Sequence, residues 1–149
     1  FRQLESITIP GSVKAFKADN AFMYMNKLKK IIFGEGVEEI SSVYMVDSCT
    51  SLTTIQLPDT LRLIDKPSVF AGAPALTQIT FPEGLQFGQN AVNMFKVCKA
   101  LRFLHRSRRF LPACLAAVLI YRVCGQTERS RKSETTRFMI QTTMPDANC

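Results

Sequence analysis

The chain has a single histidine, His105, which sits inside the basic run "HRSRR" (105–109). One histidine among arginines reads as a surface residue, and it leaves no His-rich cluster for metal binding or acid–base chemistry. The five cysteines, Cys49, Cys98, Cys114, Cys124 and Cys149, contain no CxxC pair and no dense, even spacing. They therefore suggest neither a zinc site nor a disulfide framework. No apolar run approaches the length of a conventional membrane-spanning helix, roughly 20 residues. Nucleophile-elbow, phosphate-loop, HExxH and GxGxxG motifs are all missing. Glu35, Glu38, Glu39, Asp59, Asp65 and Glu83 fall near predicted turns, where solvated carboxylates are the default. No catalysis, cofactor or metal is expected. No Asn-X-Ser/Thr acceptor occurs either, so glycosylation gives no argument for secretion.

What the chain does contain is a period. Its 149 residues are 46% hydrophobic, enough for one domain with a sizeable core. Leu4, Leu28, Leu52, Leu76 and Leu101 recur at a constant interval that lengthens by one position at the last step. Three residues after the first four come Ile7, Ile31, Ile55 and Ile79, and two further on Ile9, Phe33, Leu57 and Phe81. A chain-breaking residue follows: Pro10, Gly34, Pro58 or Pro82. Next come Val13, Val37, Leu61 and Leu85, then Phe16, Ile40 and Ile64, with Gly88 beside Phe87 in the fourth copy. Phe22, Val46, Phe70 and Phe95 close the units. Each unit reads as a coil that turns corners. LxxIxL makes a short strand, and Pro or Gly ends it because neither continues a ladder well. A second short extended segment follows, and then a turn that drops an aromatic residue such as Phe70 inward. A lone unit leaves its apolar side uncovered, whereas stacked units bury a continuous column.

The pattern LxxIxLPxxLxxI…F…C/A, as in "LESITIPGSVKAF" and "LTQITFPEGLQF", resembles the BspA-like leucine-rich repeats of bacterial and protist surface proteins. It spans residues 1 to about 103 with four complete copies, and it lacks the Asn ladder of commoner leucine-rich repeats. The resemblance implies a β-rich, right-handed solenoid of short parallel strands over residues 1–104, a non-enzymatic binding or adhesion role, and a place at the cell surface. Phe1 lies where Met25, Cys49, Ala73 and Cys98 precede later leucines, as if ending an earlier repeat. The chain also starts without Met, a charged leader or a cleavage site. A fragment of a longer solenoid is the expectation. Cys49 and Cys98 stand two repeats apart, about 10 Å by strand spacing, too far for a disulfide.

Departures from the pattern are specific. Gly34 replaces Pro in the second copy, and "VYMV" (43–46) replaces its small-residue turn. "FGQNAVNMF" (87–95) carries an insertion expected to bulge the outer turn. The fifth copy starts at Leu101 and Leu104, and Arg106 is expected to end it, standing where a core residue is needed. Charge shifts at the same place. Residues 1–98 hold nine Lys plus Arg and nine Asp plus Glu, whereas residues 99–149 hold ten and three, the whole excess of +7. Residues 105–149 read as a basic, partly disordered tail with a C-terminal helix of about 12 residues after Pro112, capping the solenoid. A change of reading frame near residue 100 would produce the same shift. Such a helix is too short for a bilayer core of about 30 Å, so membrane attachment through residues 105–124 is not favoured. Nucleic acid is disfavoured too, because the tail interleaves no aromatics with its arginines.

Two positions of each strand point away from the core: Ser6 and Thr8, Lys30 and Ile32, Thr54 and Gln56, Gln78 and Thr80. Stacked, they form a ladder of hydroxyls and amides fit to hydrogen-bond a protein or glycan ligand. The plainer reading is solvated β residues, since Thr favours strands anyway. Ile32 is the one apolar member. Two function classes follow: adhesion or protein binding through this face, or attachment to an anionic membrane or nucleic acid through the Arg-rich tail. High salt separates them, because only the second should weaken steeply.

Overall fold

A computed structural model describes residues 2–101 and 103–106, the last four as backbone alone. Among these described residues nine strands follow in chain order: β1 (Ser6–Ile9), β2 (Ala15–Phe16), β3 (Lys30–Phe33), β4 (Glu39–Ile40), β5 (Thr54–Gln56), β6 (Leu63–Ile64), β7 (Gln78–Phe81), β8 (Gln86–Phe87) and β9 (Phe103–Arg106). Odd-numbered strands form one parallel sheet in the order β1-β3-β5-β7-β9, and even-numbered strands form a second, β2-β4-β6-β8. This is the parallel β-solenoid that the repeat period requires. Ile7 pairs in register with Ile31, Ile31 with Ile55, and Ile55 with Ile79. Like residues therefore stack on like, one coil above the next.

The inward columns make the core. Leu28, Leu52 and Leu76 have no exposed surface, nor have Ile31, Val37, Ile40, Leu61, Ile64 or Phe70. Each such side chain contributes about 1.5–3 kcal/mol by leaving water, which is how two-residue strands persist here. Leu4, with a described coil on one side of it only, is 40% exposed. Aromatic contacts run between coils as well as within them. Phe70 stacks on Phe95 at 5.6 Å, and Phe81 meets Phe87 edge-on at 5.2 Å.

The third side of each coil has no strand and is built from turns. Phe22 N–H donates to Met45 O at 2.9 Å, and Phe70 N–H to Met94 O at 3.1 Å, so coils remain hydrogen-bonded through these turns. Two left-handed residues recur in every coil. Asn20, Tyr44, Ser68 and Asn93 have φ of 54°, 50°, 57° and 54°; Tyr24, Ser48, Gly72 and Val97 have 63°, 61°, 81° and 68°. Only one of the eight is glycine. Gly72 is required for a second reason, because a Cβ there would run into Asp47 of the preceding coil. Gly11 and Gly36 share another close approach, where a Cβ on either would overlap the other segment's backbone carbonyl.

The structure shows how three of the departures are accommodated. Gly34 retains an N–H that proline lacks, and donates it to Ile9 O at 2.8 Å. In the fourth coil it is Phe87, not Gly88, that pairs with Ile64, one position short of the regular period. The extra residues come afterwards, where Asp65 Oδ1 accepts from Asn90 N–H at 2.9 Å and holds the enlarged turn. Arg106 is still part of the strand of the fifth coil, since β9 pairs residue for residue with β7 as far as Phe81 and Arg106. A parallel ladder is made by backbone groups, so it can include a position whose side chain suits a core poorly. The expected helix after Pro112 and the remainder of the tail lie outside the described residues.

Candidate functional site

The odd-numbered sheet carries the candidate face. Within each strand, positions alternate between the core and the outside, as a pleated backbone demands. Ile31, Phe33, Ile55, Ile79 and Phe81 are buried, while Ser6, Thr8, Gln56, Gln78 and Thr80 are exposed and Lys30, Ile32 and Thr54 half-buried. Register aligns the outward residues in two columns. Ser6, Lys30, Thr54 and Gln78 form the first, with Phe103 at the next register position; Thr8, Ile32, Gln56 and Thr80 form the second, followed by His105.

The structure does not treat the eight predicted positions alike. A shallow groove of about 370 Å³ is lined by Thr54, Gln56, Gln78 and Thr80 together with Glu35, Asp59 and Pro82. Ser6, Thr8, Lys30 and Ile32 do not line it. Glu35 and Asp59 are the residues that sequence reasoning assigned to solvated turns. Both follow a strand-ending residue directly, in "GE" (34–35) and "PD" (58–59), and "PE" (82–83) repeats the arrangement one coil on. That recurrence of an acid after the breaker was the available signal. Asp59 N–H donates to Glu35 Oε1 at 3.1 Å, tying the two coils together at the groove margin. Outside the groove lining, just before the strands begin, Thr53 Oγ1 donates to Lys29 O at 3.2 Å, and Lys29 Nζ pairs with Glu5 at 3.0 Å.

Nothing else among the described residues assembles reactive chemistry. No group of three or more His, Cys, Asp or Glu side chains is placed to hold a metal ion. The thiols of Cys49 and Cys98 are unpaired and point into packing. Cys49 Sγ donates to Phe22 O at 2.9 Å and Cys98 Sγ to Phe70 O at 3.1 Å. Burial pushes both thiols up to about 11, with backbone hydrogen bonding at Met25 and Ala73 opposing it. Thiols held protonated in this way are poor nucleophiles.

Stacked parallel coils with a Leu/Ile core and an outward polar face define a leucine-rich-repeat solenoid. A family model for the BspA type leucine rich repeat region (6 copies) matches residues 1–108, past the point where the repeat was expected to lapse. The chain belongs to this family. Two solved structures are similar to it. The leucine rich repeat protein of T. pallidum shares 16% identity, with 90% of this chain and 83% of that chain covered and a TM-score of 0.42. A leucine rich cell surface protein from Faecalibacterium prausnitzii shares 24% identity, with 74% and 41% covered and a TM-score of 0.35. This chain thus spans less than half the length of the Faecalibacterium protein. No curated protein matches it.

Proposed function

We propose that the chain is a non-enzymatic binding module, working at a cell surface, whose odd-numbered sheet presents Thr54, Gln56, Gln78 and Thr80 to a protein or glycan ligand. The observation that carries this reading is the groove over those four residues, a concavity in which hydroxyls, amides and two carboxylates stand beside apolar groups such as Leu57 and Pro82. Rigid repeats suit such a role, because neighbouring coils fix the spacing of the contact groups before a ligand arrives. Membership of the BspA-type family supports it too. On this reading the basic sequence beyond Arg106 is not needed for ligand contact.

The test is to probe peptide and glycan arrays with the labelled full chain and with two variants. Thr54→Trp/Thr80→Trp fills the groove, and Gln86→Trp places the same bulk on β8 in the other sheet. The reading predicts that the first loses the bound features and the second retains them. An unchanged array pattern for the groove-filled chain would overturn it.

A further inference from the structure

We infer that the ligand at this groove is an extended cationic peptide, with Lys or Arg at alternate positions, whose basic groups are received by Glu35 and Asp59. The inference rests on the proposed use of the sheet face and adds the chemistry of the partner.

Charge at the groove differs from charge elsewhere on the solenoid. Residues 1–98 are balanced at nine basic and nine acidic side chains, and the whole chain is at +7. The groove lining nevertheless holds two carboxylates and no Lys or Arg. Three ion pairs occur among the described residues, Glu5–Lys29, Lys14–Glu38 and Lys17–Glu39, each joining one coil to the next. Glu35 and Asp59 belong to none of them. Arg62 is the nearest candidate partner in sequence, but its Nη1 donates to the backbone carbonyl of Asp59 at 2.7 Å and makes no ion pair. Glu35 keeps one oxygen on the Asp59 N–H, which leaves its charge available at the margin.

Shape selects an extended chain. Glu35 and Asp59 stand on adjacent coils, about 5 Å apart by strand spacing, and the floor beside them alternates hydroxyl and amide over two coils. Side chains on one face of an extended peptide recur at about 6.7 Å, a mismatch that flexible Lys or Arg stems absorb. Peptide N–H and C=O groups find partners in Gln56, Gln78, Thr54 and Thr80, each of which both donates and accepts. Lys30 pairs in register with Thr54 but lies outside the lining, so it directs a cationic ligand toward the Glu35 margin and away from the first two coils. Opposite charge at the rim sets specificity and encounter rate more than raw affinity.

The experiment titrates the full chain with two capped octapeptides by fluorescence anisotropy, one alternating Arg and Thr, the other Glu and Thr. The Arg peptide is expected to bind, the Glu peptide to fail, and Glu35→Gln/Asp59→Asn to weaken the Arg peptide about tenfold. Gln retains the oxygen that accepts from Asp59 N–H, and both substitutions keep the size of the side chain, so the variant should fold; its circular dichroism checks this. Equal affinity of the variant for the Arg peptide, or preference for the Glu peptide, overturns the inference. If the groove-filled chain loses its array ligand in that case, the face reading stands without it. A gain in affinity for Arg108→Gln/Arg109→Gln places the chain's own basic segment in the groove, and also overturns an external partner.

Discussion

Phe70 and Phe95 stack with an offset, ring centroids 5.6 Å apart and planes inclined by 14°, although their separation in sequence exceeds the repeat by one position. The enlarged turn of the fourth coil therefore absorbs its insertion before the aromatic column resumes. Phe70 is fully buried. Phe70→Ala should destabilise the solenoid by roughly 3–5 kcal/mol, through lost transfer energy and the cavity left behind. Urea denaturation followed by circular dichroism measures it; a cost under about 1 kcal/mol would show that the column repacks freely.

The thiols give stability a pH dependence at the alkaline end. Folding raises Cys49 and Cys98 from 9.0 to about 11, so the folded state holds their protons more tightly. Their contribution is complete below about pH 9 and is lost as pH rises through about 11. The urea midpoint should fall over that interval, and less so in Cys49→Ala/Cys98→Ala compared with its own value well below pH 9. An identical decline in the variant sinks the assignment.

Val97 occupies a left-handed position, φ 68°, with half its surface exposed. A β-branched side chain is poorly tolerated there, whereas Asn stands at two of the other left-handed corners, Asn20 and Asn93. Val97→Asn should therefore stabilise the protein, by about 0.5–1 kcal/mol. A lower melting temperature for the variant would show that Val97 contributes packing that its exposure does not suggest.

Ion pairing should matter little. Lys14–Glu38 at 3.7 Å, Lys17–Glu39 at 3.5 Å and Glu5–Lys29 at 3.0 Å are solvent-exposed for the most part. Exposed pairs contribute about 0–1 kcal/mol each and are screened by salt. Thermal melts at low and high NaCl, taken well to either side of physiological ionic strength, are expected to coincide to within a few degrees. A collapse at high salt would move the source of stability from the apolar columns to the surface.

The apolar columns were legible because burial acts on side chains the chain must spell out: Leu28, Leu52 and Leu76, then Ile31, Ile55 and Ile79. Features set by the backbone were not. The left-handed corners are occupied by Asn, Tyr, Ser and Val as well as by Gly72, so glycine is no guide to where they fall. β9 includes Arg106 against expectation for the same reason, since its ladder with β7 uses main-chain groups. At the candidate site, alternation sufficed to place Thr54, Gln56, Gln78 and Thr80 on the outward side of their strands. Glu35 and Asp59 escape a reading that takes each turn alone, because such a reading hides what stacking brings together.

Alternation within the strands of the odd-numbered sheet also separates two kinds of change. Ile55 and Ile79 carry the fold, while Thr54, Gln56, Gln78 and Thr80 beside them do not enter the core. The exposed ones, Gln56, Gln78 and Thr80, should tolerate substitution within about 0.5 kcal/mol. The outward columns are thus a region that can take sequence change at small cost to stability, and a library randomised there would vary one surface on an unchanging scaffold.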